Sequence, residues 1–283
     1  MAFVRWRFGV GGAAVAANRS IFAPGLFAEQ VAIITGGGTG IGLAVAHELA
    51  FLGAKVAIGS RKQENLDAGL AALRAQGAQA VGFTLDVREP ESCEAFVKSV
   101  LEAFGRVDVL VNNAGGQFPS PAQNLSARGF EAVIRNNLNG LFYMTLATAN
   151  AAMIPQGRGR IVNVIANIAR GFPGMVHTGA ARAGVENMTK TLAVEWAQFG
   201  IRVNACAPGT IRSSGTQQYG EETLELSRRA TPLKRLGTVD EVSRVVVFLA
   251  SDQNDFVTGS TYYIDGGGSL WGDVWPIEEP KKP

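Results

Sequence analysis

The chain has 283 residues, of which 47% are hydrophobic and 18% charged, and its formal net charge is +2. This composition is typical of a chain that buries a large core, and so small a charge gives no reason to expect a nucleic acid or an anionic membrane surface as a partner. The two cysteines, Cys93 and Cys206, have no metal-ligand spacing, so we expect buried thiols and no metal site.

Residues 1–25 are predicted to form a flexible N-terminal extension. Residues 1–20 carry Arg5, Arg7 and Arg19 and no acidic side chain, a pattern that import signals share. The apolar run between these arginines is interrupted by glycines and is too short to cross a bilayer. We therefore expect a cytoplasmic protein with no membrane span, and import into an organelle through this extension stays open.

From Gln30 onward, short apolar runs alternate with amphipathic segments. The predicted strands are 31–34, 55–58, 80–85, 107–111, 160–165, 201–205 and 261–264. The predicted helices are 41–52, 63–76, 90–104, a helical region over 130–154, 176–199 and 239–250. The apolar strands indicate burial on both faces of a parallel sheet. The alternation predicts an α/β fold, a single-domain Rossmann-like doubly wound parallel sheet flanked by helices, over 26–268.

A polar stretch, residues 213–236, interrupts the alternation of strands and helices. A long polar connection inside a compact domain is often a segment that covers a binding site. We call this stretch the lid and expect it to close over the site.

A glycine-rich turn follows the first predicted strand. Glycines let the backbone approach a pyrophosphate closely, and the helix that follows offers its free amides to the phosphate charge. The turn lies between a strand and a helix near the start of the domain, which is the context that a dinucleotide site requires. The residues expected to contact the cofactor here are Gly36, Thr39, Gly40, Ile41 and Gly42.

The second predicted strand is followed by Ser60, Arg61 and Lys62. A carboxylate at this place would bind the adenosine ribose diol and favour NAD, whereas two cations suit a 2′-phosphate. Cations near a helix N-terminus are unfavourable without an anion, which strengthens this interpretation. The sequence therefore predicts NADP(H).

The third and fourth predicted strands end in further candidate cofactor residues. Asp86 can accept a hydrogen bond from the adenine amino group, and Val87 follows it. Asn113, Ala114 and Gly115 follow the fourth strand, where the backbone can pass close to the ribose. We expect all five to contact the cofactor.

These motifs, with Asn137-Leu138-Asn139-Gly140, Pro208-Gly209 and Ile264-Asp265-Gly266-Gly267, resemble the short-chain dehydrogenase/reductase family. A narrower resemblance, to peroxisomal trans-2-enoyl-CoA reductase and 2,4-dienoyl-CoA reductases, rests on segments 23–26, 115–121, 171–173 and 177–185. The family resemblance implies a homotetramer, with the C-terminal tail, residues 269–283, at a subunit interface. The further cofactor contacts that it implies are Asn137, Arg182, Pro208, Gly209, Ile211 and Ser213.

The catalytic residues depart from the Asn, Ser, Tyr and Lys that this family usually carries. Asn137 matches the Asn, and Arg182 replaces the Lys, where it can keep the ribose contacts and the positive charge. The Ser is absent, and Thr178 replaces the Tyr, although its hydroxyl is shorter and far less acidic than a phenol. Candidate proton donors are Tyr219 in the lid and His177, because an imidazole can both donate and accept a proton.

The resemblance implies reduction of the carbon–carbon double bond of a trans-2-enoyl-CoA thioester, a reaction that does not demand a phenol where ketone reduction needs one. Three alternatives stay open. The first is an alcohol or aldehyde dehydrogenase acting, for example, on a branched terpenoid. The second is a 3-oxoacyl reductase with an altered proton relay, and the third is a catalytically inactive NADPH-binding subunit.

Overall fold

A computed structural model describes residues 20–271 and 276–279. Its strands are β1 (Val31–Thr35), β2 (Lys55–Ser60), β3 (Ala80–Thr84), β4 (Val109–Asn112), β5 (Gly159–Val164), β6 (Ile201–Pro208), β7 (Ile211–Arg212), β8 (Gly237–Thr238) and β9 (Thr261–Ile264). Seven of them form one parallel sheet in the order β3-β2-β1-β4-β5-β6-β9, and β7 pairs separately with β8. The predicted α/β fold is confirmed.

Helices cover both faces of the sheet. They are α1 (Gly40–Phe51), α2 (Gln63–Ala75), α3 (Pro90–Phe104), α4 (Ala127–Ile134), α5 (Gly140–Thr148), α6 (Ile154–Gln156), α7 (Val176–Glu195), α8 (Glu221–Ala230) and α9 (Val239–Ala250). The helices α4, α5 and α6 follow one another through two π-helical turns, Arg135–Asn139 and Ala149–Met153, which accounts for the long helical region predicted from the sequence.

Side chains of β1 alternate between the two faces of the sheet. Ile34 packs in the cluster formed with α1, α2 and α9, whereas Ile33 packs in the cluster formed with α3, α5 and α7. Both isoleucines are fully buried, so the strand is apolar over residues 31–34 and not only at every second position. This burial on both faces is what makes the fold doubly wound.

Several predicted boundaries differ from the structure, most of them by one or two residues, and the ends of α7 and β6 show the reason. The helix predicted over 176–199 ends at Glu195, and a short 3₁₀ turn, Ala197–Phe199, leads to Gly200, whose φ is 67°. The strand predicted over 201–205 continues to Pro208, because Pro208 pairs in register with Ile264 of β9. Such ends depend on neighbouring strands, which a local sequence pattern does not show.

The carboxyl ends of β1 and β4 lie side by side at the centre of the sheet, and their following helices pack on opposite faces. Open α/β sheets bind ligands at such a switch point. The lid begins there and contains a short 3₁₀ turn, Ser214–Gln218, followed by α8. None of the helices within the described segments is long and apolar enough to cross a membrane.

The two ends of the described chain contact the domain. The Ser20 hydroxyl donates to Glu48 at 2.6 Å, whereas residues 1–19 of the predicted extension lie outside the described residues. In the C-terminal tail, the Lys234 ammonium lies 4.2 Å from the ring centroid of Trp271, and the Arg228 guanidinium donates to Glu279 at 2.9 Å. The described parts of the tail therefore contact the lid of their own chain.

Candidate active site

A cleft of about 260 Å³ opens at the carboxyl ends of β1, β2 and β4, and we call it the nucleotide cleft. Gly36 has a φ of 66°, and a Cβ on Gly42 would stand 2.4 Å from the carbonyl oxygen of Gly36. The turn therefore requires glycine, and the first residues of α1 line the cleft, where their free amides suit a pyrophosphate. The predicted cofactor residues that line this cleft are Gly36, Thr39, Gly40, Ile41, Ser60, Arg61, Val87, Asn113, Ala114, Gly115 and Ser213.

Thr35, which the sequence analysis did not single out, ties the glycine turn to the loop after β4. Its hydroxyl oxygen accepts hydrogen bonds from the N–H groups of Asn113 and Ala114 at 3.0 and 2.9 Å. The side-chain amide of Asn113 donates in return to the Thr35 carbonyl oxygen at 3.0 Å. Because these hydrogen bonds lie within the protein, the glycine turn and the loop after β4 are held together as one side of the cleft before a cofactor binds. The sequence signal for this role of Thr35 was the place of its hydroxyl at the end of an otherwise apolar strand.

The two cations predicted to bind a 2′-phosphate have different surroundings. Arg61 lines the nucleotide cleft, whereas Lys62 does not and forms an ion pair with Glu64 at 3.5 Å. The described lining contains no acidic side chain, and it includes Asn65, a polar residue that the sequence analysis missed. Arg61 is therefore the charged side chain of the described lining.

Asp86, the expected partner of adenine, is not part of the described lining, although its neighbours Leu85 and Val87 are. Its carboxylate accepts from the side chain of Arg88 at 2.8 Å, and this bond holds the pKa of Asp86 below its usual value. The carboxylate is therefore engaged within its own turn, and Val87 is the member of the predicted pair that faces the cleft.

A second cavity, of about 460 Å³, adjoins the nucleotide cleft and extends under the lid. We call it the inner cavity. Ile41 and Ser213 line both spaces, which makes them continuous. The predicted site residues that line the inner cavity are Ile41, Arg182, Pro208, Gly209, Ile211, Ser213 and Tyr219.

Arg182 lies on α7 and is 8% exposed, yet it forms no ion pair within the described residues. Its Nη2 donates to Asn137 Oδ1 at 3.4 Å, and in the same part of the chain Nε and Nη1 have no partner. Burial lowers the pKa of Arg182 to about 10. A buried cation with unpaired donors is costly, so this guanidinium fits a ligand that brings oxygen acceptors, such as a ribose.

Gly115 allows the close approach that such a ligand needs. A Cβ on Gly115 would stand 2.5 Å from Nη2 of Arg182 and 2.7 Å from Oδ1 of Asn137. Any other residue would therefore displace the guanidinium or close the space beside it. The residues present fit a nicotinamide cofactor, whose phosphates would bind at the start of α1 and whose ribose would contact Arg182.

Asn137 lies in the π-helical turn between α4 and α5 and is almost fully buried. Its Oδ1 accepts from the Gly116 N–H at 2.9 Å, and its Nδ2 donates to the Gly116 carbonyl oxygen at 2.7 Å. Asn137 does not line either cavity in the described part of the chain. It holds the loop after β4 in place, and π-helical turns of this kind are common at functional sites.

Thr178 and His177 are fully buried at the start of α7, and neither belongs to the described lining of either cavity. The Thr178 N–H donates to His177 Nδ1 at 2.7 Å, which makes Nε2 the protonated nitrogen of the neutral ring. The Phe118 ring covers the imidazole edge-on, with the centroids 4.7 Å apart. Catalytic roles for Thr178 and His177 stay predictions.

Tyr219 reaches the inner cavity from the lid. Its phenol oxygen accepts a hydrogen bond from Gln117 Nε2 at 2.9 Å, and both side chains belong to the lining. Gln117 had no predicted role, although it follows the Gly115-Gly116 pair of the resemblance. This bond joins the loop after β4 to the lid. Among the described residues, no group of three or more His, Cys, Asp or Glu side chains is arranged to hold a metal ion.

Comparisons with known proteins agree with this geometry. The family model described as "Enoyl-(Acyl carrier protein) reductase" matches residues 36–269. The chain is 39% identical to a probable 2,4-dienoyl-CoA reductase of Bacillus subtilis (strain 168), across 88% of this chain and 99% of the relative. It is 40% identical to a peroxisomal 2,4-dienoyl-CoA reductase of Danio rerio, across 88% of this chain and 85% of the relative.

A solved structure is similar as well. It is that of the citronellol catabolism dehydrogenase of Pseudomonas aeruginosa PAO1, with 45% identity and a TM-score of 0.81, covering 89% of this chain and 99% of that one. The fold, the site for a nicotinamide cofactor and these similarities together establish that the chain is an oxidoreductase that belongs to the short-chain dehydrogenase/reductase family.

Proposed function

We propose that the protein reduces the carbon–carbon double bond of an enoyl-CoA thioester with NADPH. The observation that carries this proposal is the position of Arg182. Its guanidinium is buried with two nitrogens unpartnered among the described residues and lines the inner cavity, while α7 contributes no tyrosine to this cavity. Ketone reduction needs a proton donor at the oxygen that is reduced. Reduction of a conjugated double bond needs instead a positive group near the thioester oxygen, and the proton goes to carbon.

NADPH, when bound, would supply the hydride for the β carbon of the double bond. Arg182 holds the nicotinamide ribose and directs its positive charge toward the thioester oxygen, where negative charge develops. Burial strengthens this effect, because preorganised donors act more strongly where water is excluded. With a pKa of about 10, Arg182 keeps its proton at neutral pH, so it acts through its charge and not as an acid.

Tyr219 supplies the proton to the α carbon in this proposal. The titratable side chains in the described lining of the inner cavity are Arg182, Tyr219 and Asp265. The Asp265 carboxylate accepts from two backbone N–H groups of its own turn and from the Asn167 amide at 2.9 Å, which commits it to the turn. The phenol of Tyr219 is the donor that remains, and water restores its proton when the lid opens.

The lining of the inner cavity also suits an acyl chain. Ile165, Phe172, Met175 and Leu224 give it apolar walls, and its volume of about 460 Å³ falls in the range of small-molecule sites. The names of the two curated relatives specify CoA thioesters with conjugated double bonds. This similarity supports a thioester with a conjugated double bond as the substrate class.

The preference for NADPH rests on Arg61. It is the charged side chain of the described cleft lining, and no carboxylate there would repel a 2′-phosphate. A guanidinium binds phosphate oxygens through paired donors, which a ribose hydroxyl alone would not use.

A second candidate is oxidation of an alcohol, favoured by the 45% identity to the citronellol catabolism dehydrogenase. Such a reaction needs a base that accepts the hydroxyl proton. Tyr219 is again the available group, so the inner cavity admits this chemistry without a further residue.

The decisive test is a substrate comparison with purified protein. NADPH absorbance is followed with a trans-2-enoyl-CoA, a 2,4-dienoyl-CoA, acetoacetyl-CoA and a simple enal, and products are identified by mass spectrometry. Citronellol with NADP⁺ is assayed in parallel. We expect turnover of the unsaturated thioesters, lost in Tyr219→Phe and kept in the control Tyr143→Phe. Turnover of acetoacetyl-CoA alone or of the alcohol alone would replace the proposal by one of its alternatives. NADPH binding without any turnover would indicate an inactive subunit.

We also propose that the protein is a homotetramer, as the family resemblance implies. Light scattering on the purified protein tests this directly, and a monomer at assay concentrations would contradict it.

A further inference from the structure

A chain of contacts runs from the buried cation to the lid. Arg182 contacts Asn137, which holds the backbone of Gly116 through two hydrogen bonds. The next residue, Gln117, reaches across the inner cavity to Tyr219. The position of the Tyr219 phenol over the cavity is therefore set from the rigid sheet side by Gln117, and not by the lid alone.

The direction of the bond between Gln117 and Tyr219 matters for proton transfer. An amide N–H can only donate, so the phenol oxygen of Tyr219 accepts at 2.9 Å. The hydrogen of the phenol is not used by this bond and can point at a bound molecule. If the glutamine oxygen faced the phenol instead, the phenol would donate to it and its hydrogen would be turned away from the cavity.

We infer that Gln117 is a positioning residue for the reaction: it holds Tyr219 over the inner cavity and leaves the phenol hydrogen directed at the α carbon of the substrate. This inference rests on the proposed function. It adds a residue outside the Asn, Ser, Tyr and Lys positions and gives a reason for a polar side chain in that loop. Gln117 itself transfers no proton.

Two substitutions at Gln117 test separately whether it positions the Tyr219 phenol and whether the direction of their hydrogen bond matters. Gln117→Leu removes the donor at similar size, and we expect kcat to fall about tenfold with KM nearly unchanged, since one hydrogen bond is lost. Gln117→Glu keeps the size but offers only acceptors, so it draws the phenol hydrogen away from the substrate and should lower kcat further. Gln123→Leu, at an exposed position on the same loop, is the matched control.

A double-mutant cycle with Tyr219→Phe tests whether Gln117 acts through the phenol. We expect the double variant to be no slower than Tyr219→Phe alone, because the glutamine has nothing left to position. Wild-type kcat in Gln117→Glu would mean that the phenol donates to residue 117 and would overturn the inference. Independent, additive losses in the cycle would overturn it as well.

Hydrogen exchange of lid residues 213–230 provides a readout that does not need activity. We expect the same faster exchange in Gln117→Leu and in Tyr219→Phe, and no further increase in the double variant. If the wild type turns over no thioester, the proposed function fails, and exchange then decides whether Gln117 holds Tyr219. Unchanged exchange in both single variants would overturn the inference whatever the substrate.

Discussion

Asn137 holds the backbone of Gly116 through both polar atoms of its side-chain amide, at 2.9 and 2.7 Å. The two residues lie on different elements, one in a π-helical turn and the other in the loop after β4. The loop that carries Gln117 is therefore anchored to the helix that faces α7. These hydrogen bonds hold the loop in place before any ligand binds.

Replacement of Asn137 should loosen this loop. We expect Asn137→Leu to lower kcat at least about tenfold, because two hydrogen bonds that orient the loop are lost. Hydrogen exchange of residues 114–118 should become faster at the same time. Asn124→Leu, at an exposed position of the same connection, is the control and should change neither. A normal kcat of Asn137→Leu together with faster exchange would show that catalysis does not depend on the order of this loop, and it would contradict this prediction.

Arg61 and Lys62 should contribute unequally to cofactor choice. Arg61→Gln removes the cation that lines the nucleotide cleft, so we expect the Kd for NADPH to rise about tenfold or more and the Kd for NADH to change little. Lys62→Gln, which breaks an exposed ion pair with Glu64, is the matched comparison and should have a smaller effect. Titration of cofactor fluorescence measures these constants for the wild type and both variants. Equal effects of the two substitutions would show that both cations reach the phosphate.

Arg182→Met should stabilise the protein without cofactor and abolish its turnover. Burial lowers the pKa of Arg182 to about 10, so the charged form is disfavoured in the folded state. The penalty is fully present at every pH below about 10 and fades only as the pH rises above that value. Even a buried ion pair can be replaced by apolar side chains of similar volume with a gain of about 1–4 kcal/mol, and a buried charge without an ion pair lacks the attraction that offsets part of its desolvation.

Thermal unfolding with and without NADPH checks this prediction. The wild type should gain more stability from NADPH than the variant does, because the cofactor supplies acceptors to the guanidinium. Arg182→Lys is the comparison that keeps the charge. A lower Tm of Arg182→Met without cofactor would mean that Arg182 stabilises the empty protein.

Glu241 should make stability depend on acidic pH. It caps α9 with Thr238 and pairs with Arg235 at 2.6 Å, and the Arg235 bond is the main cause that lowers its pKa from 4.5 to about 2. Stability from this group is present above about 4.5 and is lost as the pH falls through about 2. We expect Glu241→Gln to cost about 1 kcal/mol at neutral pH and to flatten the acid limb of the denaturation profile.

Urea unfolding of both proteins at several pH values measures this difference. The two curves should converge at the acid end, where the wild-type carboxylate is protonated. A difference in the free energy of unfolding that stays constant across the acid range would mean that the substitution acts through packing and not through the charge of Glu241.

Much of the fold could be predicted because its signals are local. The helices Pro90–Phe104 and Val239–Ala250 and the strand Thr261–Ile264 have the predicted bounds, since each has a regular apolar pattern. The glycine turn was recognisable for the same reason. Pro208 was missed as a strand residue because its pairing with Ile264 joins distant parts of the chain.

The sequence by itself determined the alternation of strands and helices, the glycine turn and the absence of the usual tyrosine from α7, because these depend on residue type and short spacing. Tertiary structure decided which of two adjacent cations reaches the nucleotide cleft and left Arg182 buried without an ion pair in the described chain. It also brought Gln117 to Tyr219, 102 residues away. Such contacts form where the loops after different strands meet at one edge of the sheet, and a periodic pattern along the chain does not predict them.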